Sequence, residues 1–179
     1  MERTELYARA RSAYEAGRAK LALQAVIGAA SLGVVAVALG RPWPQIALLG
    51  AFLVPLCAVL AFRGRASGRA VWPGLVAGGI AMLLPIGVAF AGHVWLGPGC
   101  MRFCLPACVV GGAVAGVAIA TVASRQDDGE GEFLLGGIAI AALAASLGCT
   151  LAGGAGLFGM ATGALVTGAP VWLVAHARR

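Results

Sequence analysis

Residues 21–39 read LALQAVIGAASLGVVAVAL and residues 45–62 read QIALLGAFLVPLCAVLAF; GRPWP (40–44) joins them and RGRASGR (63–69) follows. Each apolar run is about 20 residues, the length a helix needs to cross a hydrocarbon core of ~30 Å. The joint is a turn with one arginine, whereas the second run ends in a cluster of three, Arg63, Arg65 and Arg69. That hairpin decides the fold class, because the same alternation recurs along the chain. Further runs cover Val71–Ala91, Cys104–Ala123, Phe133–Thr150 and Ala155–Ala175. The chain is 60% hydrophobic and 11% charged, where a soluble domain has roughly 45–50% and about 25%. Backbone amides in lipid must be satisfied within their own segment, so each run is expected to be helical. The period-2 alternation of a membrane barrel is absent. The expected fold is all-α, a polytopic bundle of six transmembrane helices.

Lys and Arg resist translocation, so the side that holds them is expected to be cytoplasmic. Arg3, Arg9, Arg11, Arg18 and Lys20 precede the first run, Arg63–Arg69 follow the second, Arg125 the fourth, and Arg178 and Arg179 the sixth. The opposite side carries Arg41 and Arg102. Both termini are therefore expected in the cytoplasm, with residues 1–20 a cytoplasmic amphipathic tail, 21–175 the six-helix domain and 176–179 a cytoplasmic end. Twenty mostly polar residues ahead of the first run read as a retained helix rather than a cleavable signal. Trp43, Trp72, Trp95 and Trp172 stand near expected span ends, where an indole sits at headgroup level. The net charge of +6 belongs to this topology and to anionic lipid. No aromatic-interleaved basic patch points to nucleic acid.

Within the spans, Gly74/Gly78, Gly112/Gly116 and Gly159/Gly163 are each four apart and fall on one helix face. Small residues allow the close backbone approach on which helix association in lipid depends. These pairs are expected to pack the bundle, and Pro55, Pro85, Pro106 and Pro170 to kink or end their helices. No span carries an internal Asp, Glu, Lys or Arg, which argues against transport through an ion path or proton relay. A channel would have to use Ser31, Thr121, Ser146, Thr162 and Thr167, the hydroxyls available within spans.

Five cysteines carry what chemistry the sequence offers. Cys100, Cys104 and Cys149 fall near the expected outer face, an oxidising compartment in bacteria where a disulfide persists. Joining Cys149 to Cys100 or Cys104 would staple the second outer loop to the third. Cys57 and Cys108 read as small apolar core residues. His93 lies in the same outer region, and thiolate with imidazole suits Zn²⁺ or copper, so Cys100, Cys104, Cys149 and His93 form the candidate redox or metal-sensing set. Otherwise no cofactor is expected. His176 reads as a cytoplasmic flank. The loop Ser124–Glu132 (SRQDDGEGE) reads as a solvated turn without the spacing of an EF-hand. No Walker A, GxSxG or HExxH sequence occurs, so no enzyme activity is expected.

The tail, MERTELYARARSAYEAGRAK, repeats Leu6, Ala10, Ala13, Tyr14, Gly17 and Leu21 at helical spacing beside polar neighbours. It reads either as an anchor lying on the membrane or as a docking helix whose candidate contacts are Leu6, Tyr7, Arg11, Tyr14 and Arg18.

Thr4 and Leu6 in the opening RTEL, CLPACVVGGAVAG from Cys104 to Gly116, and Cys149 near the end of the fifth run carry a resemblance to the NrsF-type transmembrane anti-sigma factors. The resemblance implies six spans in the bacterial inner membrane and a tail that helps hold an extracytoplasmic-function sigma factor. It also implies outer cysteines that respond to oxidising stress or metal. Two other readings of the residues stand beside it, a small channel or transporter and a membrane thiol-redox or metal-handling protein.

Overall fold

The computed structural model describes residues 3–96, 101–126, 128–149 and 154–177. They form α1 (Arg3–Ala38), α2 (Trp43–Arg63), the short α3 (Arg65–Arg69), α4 (Val71–Leu96), α5 (Met101–Ala123), α6 (Glu130–Ser146) and α7 (Gly154–Ala177), with no strand among the described residues. Five helices, α1, α2, α4, α5 and α7, are long and apolar enough to cross a membrane. They face outward with side chains that water would not tolerate in such number. Phe90 is 77% exposed, Phe158 74% and Val34 69%. Exposure of that extent needs an apolar surrounding, so the chain has the build of a multi-pass membrane protein.

The remaining long helix, α6, has 17 residues and the opposite character. Phe133, Leu134, Ile138, Ile140, Ala141, Ala144 and Ala145 are all buried. A helix apolar all round belongs in a core, and α6 divides two of them. Phe133, Ile138, Ala141 and Ala145 face a core completed by α5 and α7. Ile140, Ala144 and Leu147 face a core built from α1, α2 and α4.

Glycines set the spacing around it. Gly74 and Gly78 of α4 lie against the backbones of Gly137 and Ala141, where an added β-carbon would come within 2.9 and 2.7 Å of their carbonyl oxygens. Gly112 and Gly116 of α5 oppose the backbones of Met160 and Ala164 on α7; Gly163 opposes Val109, and Gly159 faces the Leu105 and Cys108 side chains. These contacts run α4 parallel to α6 and α5 parallel to α7. Thr167 ties the second pair, its hydroxyl 2.9 Å from the carbonyl oxygens of Ala113 and Gly163.

One end of the bundle gathers several connections. Gly64 is faced by the Arg18 guanidinium and Gly129 by the Ala66 side chain, while Trp172 Nε1 donates to Glu130 at 2.9 Å. His176 Nδ1 lies 3.4 Å from the same carboxylate and its ring stacks on Trp172.

α1 runs unbroken for 36 residues, so residues 3–20 form a helix continuous with the first apolar run. Pro55, Pro85, Pro106 and Pro170 lie inside continuous helices.

Candidate functional site

The chemistry concentrates where α6 stops. At a rise of about 1.5 Å per residue α6 falls short of the helices beside it. Its last turn, Leu147–Cys149, meets α4 at Met82, and α4 continues to Leu96. Cys149 therefore arrives beside the third turn of α5 rather than its first. There it is joined to Cys108 in a disulfide, with Cα atoms 6.9 Å apart. Both residues are buried, Cys108 fully and Cys149 at 1% exposure. Cys104 sits one turn nearer the α5 start and is half-buried. Its sulfur belongs to the same group, the three Sγ atoms lying within 4.8 Å of one another.

This pairing corrects the sequence expectation, which joined Cys149 to Cys100 or Cys104 and left Cys108 as an ordinary core residue. The physical reason is depth: α6 ends early, so Cys149 stands level with Cys108 and bonds it, with the Cys104 sulfur close beside the pair. The spacing Cys104–Cys108 puts both sulfurs on one helix face, and how far α6 extends beside them is not legible in the sequence. Cys100 and the side chain of His93 lie outside the described residues, as does Asp127. Cys57, buried on α2, belongs to the other core.

Oxidised, the site is a cross-link between α5 and α6. Taking up two electrons and two protons would convert it to two thiols beside a third sulfur. Three thiolates at this spacing are a soft donor set of the kind that suits Cu(I) or Zn²⁺, and the same set supports thiol–disulfide exchange. The pair belongs to the buried core that includes Ala145 and Met160, leaving Cys104 as the more accessible member.

The tail residues form a separate feature. Every residue from Arg9 to Gly17 is exposed, as are Leu6 and Tyr7, so no face of this part of α1 is covered. Arg11 Nε donates to Glu15 at 2.9 Å. Arg18 is the first to engage the bundle, its guanidinium 5.2 Å from the centre of the Tyr14 ring and 5.4 Å from that of Phe62. Four of the five hydroxyls a channel would need are turned to backbone: Ser31 bonds Gly28, Thr121 bonds Ala118, Ser146 bonds Leu143, and Thr167 bonds as described. No protein-family model, curated protein or solved structure matches the chain.

Proposed function

We propose that this chain is a regulatory protein of the bacterial inner membrane that holds a cytoplasmic partner through the first turns of α1. The observation that carries the reading is the projection of those turns. At 36 residues α1 rises about 54 Å, well beyond a core of ~30 Å, and the excess presents Leu6, Tyr7, Arg11 and Tyr14 uncovered. A helix bearing exposed aromatic and leucine side chains between charges suits recognition in a groove. An extracytoplasmic-function sigma factor is the partner that the resemblance implies.

The same reading takes α6 as a sixth crossing, at the short end of the workable range of about 17–25 residues, with both termini cytoplasmic. The arginine clusters support that orientation. The cysteine cluster then lies on the outer half of the bundle, where its oxidation state can bias the packing of α5 against α6. A bias of about 1–3 kcal/mol would change partner binding roughly 5–150-fold.

A second reading, a membrane thiol-redox or metal-handling protein, is favoured by one observation, the approach of three sulfurs within 4.8 Å. Affinity capture from native membranes separates the two. Full-length protein is compared with a deletion of residues 2–13 that still inserts. Recovery of a sigma factor only with the intact tail supports the regulatory reading. Identical captures from both forms sink it.

A further inference from the structure

Between α1, α2, α3 and α4, at the end of the bundle that carries the arginines, lies a groove of about 440 Å³. Its floor is apolar, built by Leu21, Ala25 and Val71, and Trp72 forms one wall. Its rim is basic, with Arg65 and Arg69 both lining it and both exposed. The two stand four apart on α3 and so share a helix face. Among the described residues no carboxylate lies within salt-bridge distance of either. The nearby Glu130 carboxylate is committed to Trp172 and His176.

Two further features converge on the rim. Gly64, which lines the groove, has φ +74°, and the Arg18 guanidinium rests against it, 3.0 Å from where a β-carbon would stand. Arg18 is held there by two aromatic rings, which fixes a third positive charge beside the Gly64 end of the groove. Next in sequence, Arg65 has φ +31°, a conformation that side chains bearing a β-carbon rarely adopt. Backbone held in such a region is found where the surroundings over-determine it, often at a ligand site.

We propose that this groove binds one anionic glycerophospholipid, its phosphate on Arg65 and Arg69, with the Arg18 charge adjoining at Gly64, and an acyl chain along Leu21 and Ala25. The chemistry of the walls selects the occupant. Arginine offers several donors to a phosphate, and a basic pocket between membrane helices at the headgroup level suits acidic lipid. The Trp72 indole marks that level. The apolar floor has no use for a soluble phosphate but matches a fatty chain. The site stands apart from the cysteine cluster and does not depend on what partner the tail holds.

The test is native mass spectrometry of the full chain in detergent, titrated with phosphatidylglycerol or with phosphatidylcholine of the same acyl composition. One phosphatidylglycerol per chain is expected, held at least tenfold more tightly than phosphatidylcholine. Arg65→Gln with Arg69→Gln should weaken it about thirtyfold, at roughly 1 kcal/mol per basic residue. Leu21→Gln, on an exposed position, should weaken it severalfold while leaving the charges in place. Arg125→Gln should leave it unchanged. Equal binding of the two lipids, or wild-type binding by the double variant, would overturn the proposal. So would displacement of the lipid by equimolar glycerol phosphate, which would make the site one for a soluble anion.

Discussion

Gly112 of α5 and Met160 of α7 meet backbone to backbone, so closely that a β-carbon at position 112 would overlap the Met160 carbonyl oxygen. Gly116 stands in the same relation to Ala164, one turn further along. The two contacts let parallel helices approach to a separation at which main-chain atoms supply the dispersion attraction.

Substituting Gly112 should therefore push α5 and α7 apart. Gly112→Val is expected to destabilise the bundle by about 1–3 kcal/mol, the usual cost of overpacking. Gly87→Ala, where nothing lies within 4 Å of the added carbon, should be neutral or stabilise by up to ~1 kcal/mol through helix propensity. Thermal unfolding of the purified variants in detergent measures both. Equal effects at the two positions would contradict the packing role of Gly112.

The Cys108–Cys149 bridge makes a count of reactive thiols informative. Labelling denatured, unreduced protein with a maleimide polymer, Cys108→Ala and Cys149→Ala should each add one adduct relative to wild type. Cys57→Ala should remove one. The bridge spans a separation of 41 residues, for which loop-closure entropy gives roughly 4 kcal/mol. Reductant is thus expected to lower the unfolding temperature of wild type but not of Cys108→Ala.

Residues 5–7 and 9–17 bury nothing against the bundle. Deleting residues 2–13, which spares the stack of Arg18 on Tyr14 and Phe62, should change stability by no more than ~0.5 kcal/mol, as for exposed positions generally. The same deletion should abolish capture of a cytoplasmic partner. A large loss of stability would place the tail among the structural parts of the fold.

Glu130 joins the start of α6 to the end of α7 by accepting from Trp172 Nε1 at 2.9 Å. Removing the carboxylate with Glu130→Ala should cost about 1.5–3 kcal/mol, as expected for a hydrogen bond to a charged group. Trp172→Phe removes the donor, and the double variant should lose less than the sum of the two singles. Full additivity in thermal unfolding would show that the bond contributes nothing.

The limits of the sequence are clearest at α6 and its neighbours. The run Phe133–Thr150 is apolar on every side, so its periodicity names no inward face, and nothing in it says that this helix divides two cores. The same blindness affected the cysteines. Cys104 and Cys108 share a face of α5, but the choice between them turned on how far α6 extends beside it. Placing the strained Gly64–Arg65 junction against Arg18 required residues nearly fifty positions apart to be brought together.

Composition and run length were enough for the class of the molecule and the places of its long apolar helices. In a solvent that offers no hydrogen bonds, an apolar run of sufficient length has no choice but to satisfy its own backbone as a helix. Which helix is enclosed, which cysteine closes the bridge and where arginines gather around an apolar groove follow from the assembled bundle. Those outcomes depend on close backbone contacts between distant segments, chiefly at Gly74, Gly78, Gly112 and Gly116. A small residue permits such an approach on any neighbour, and only the assembled bundle selects one.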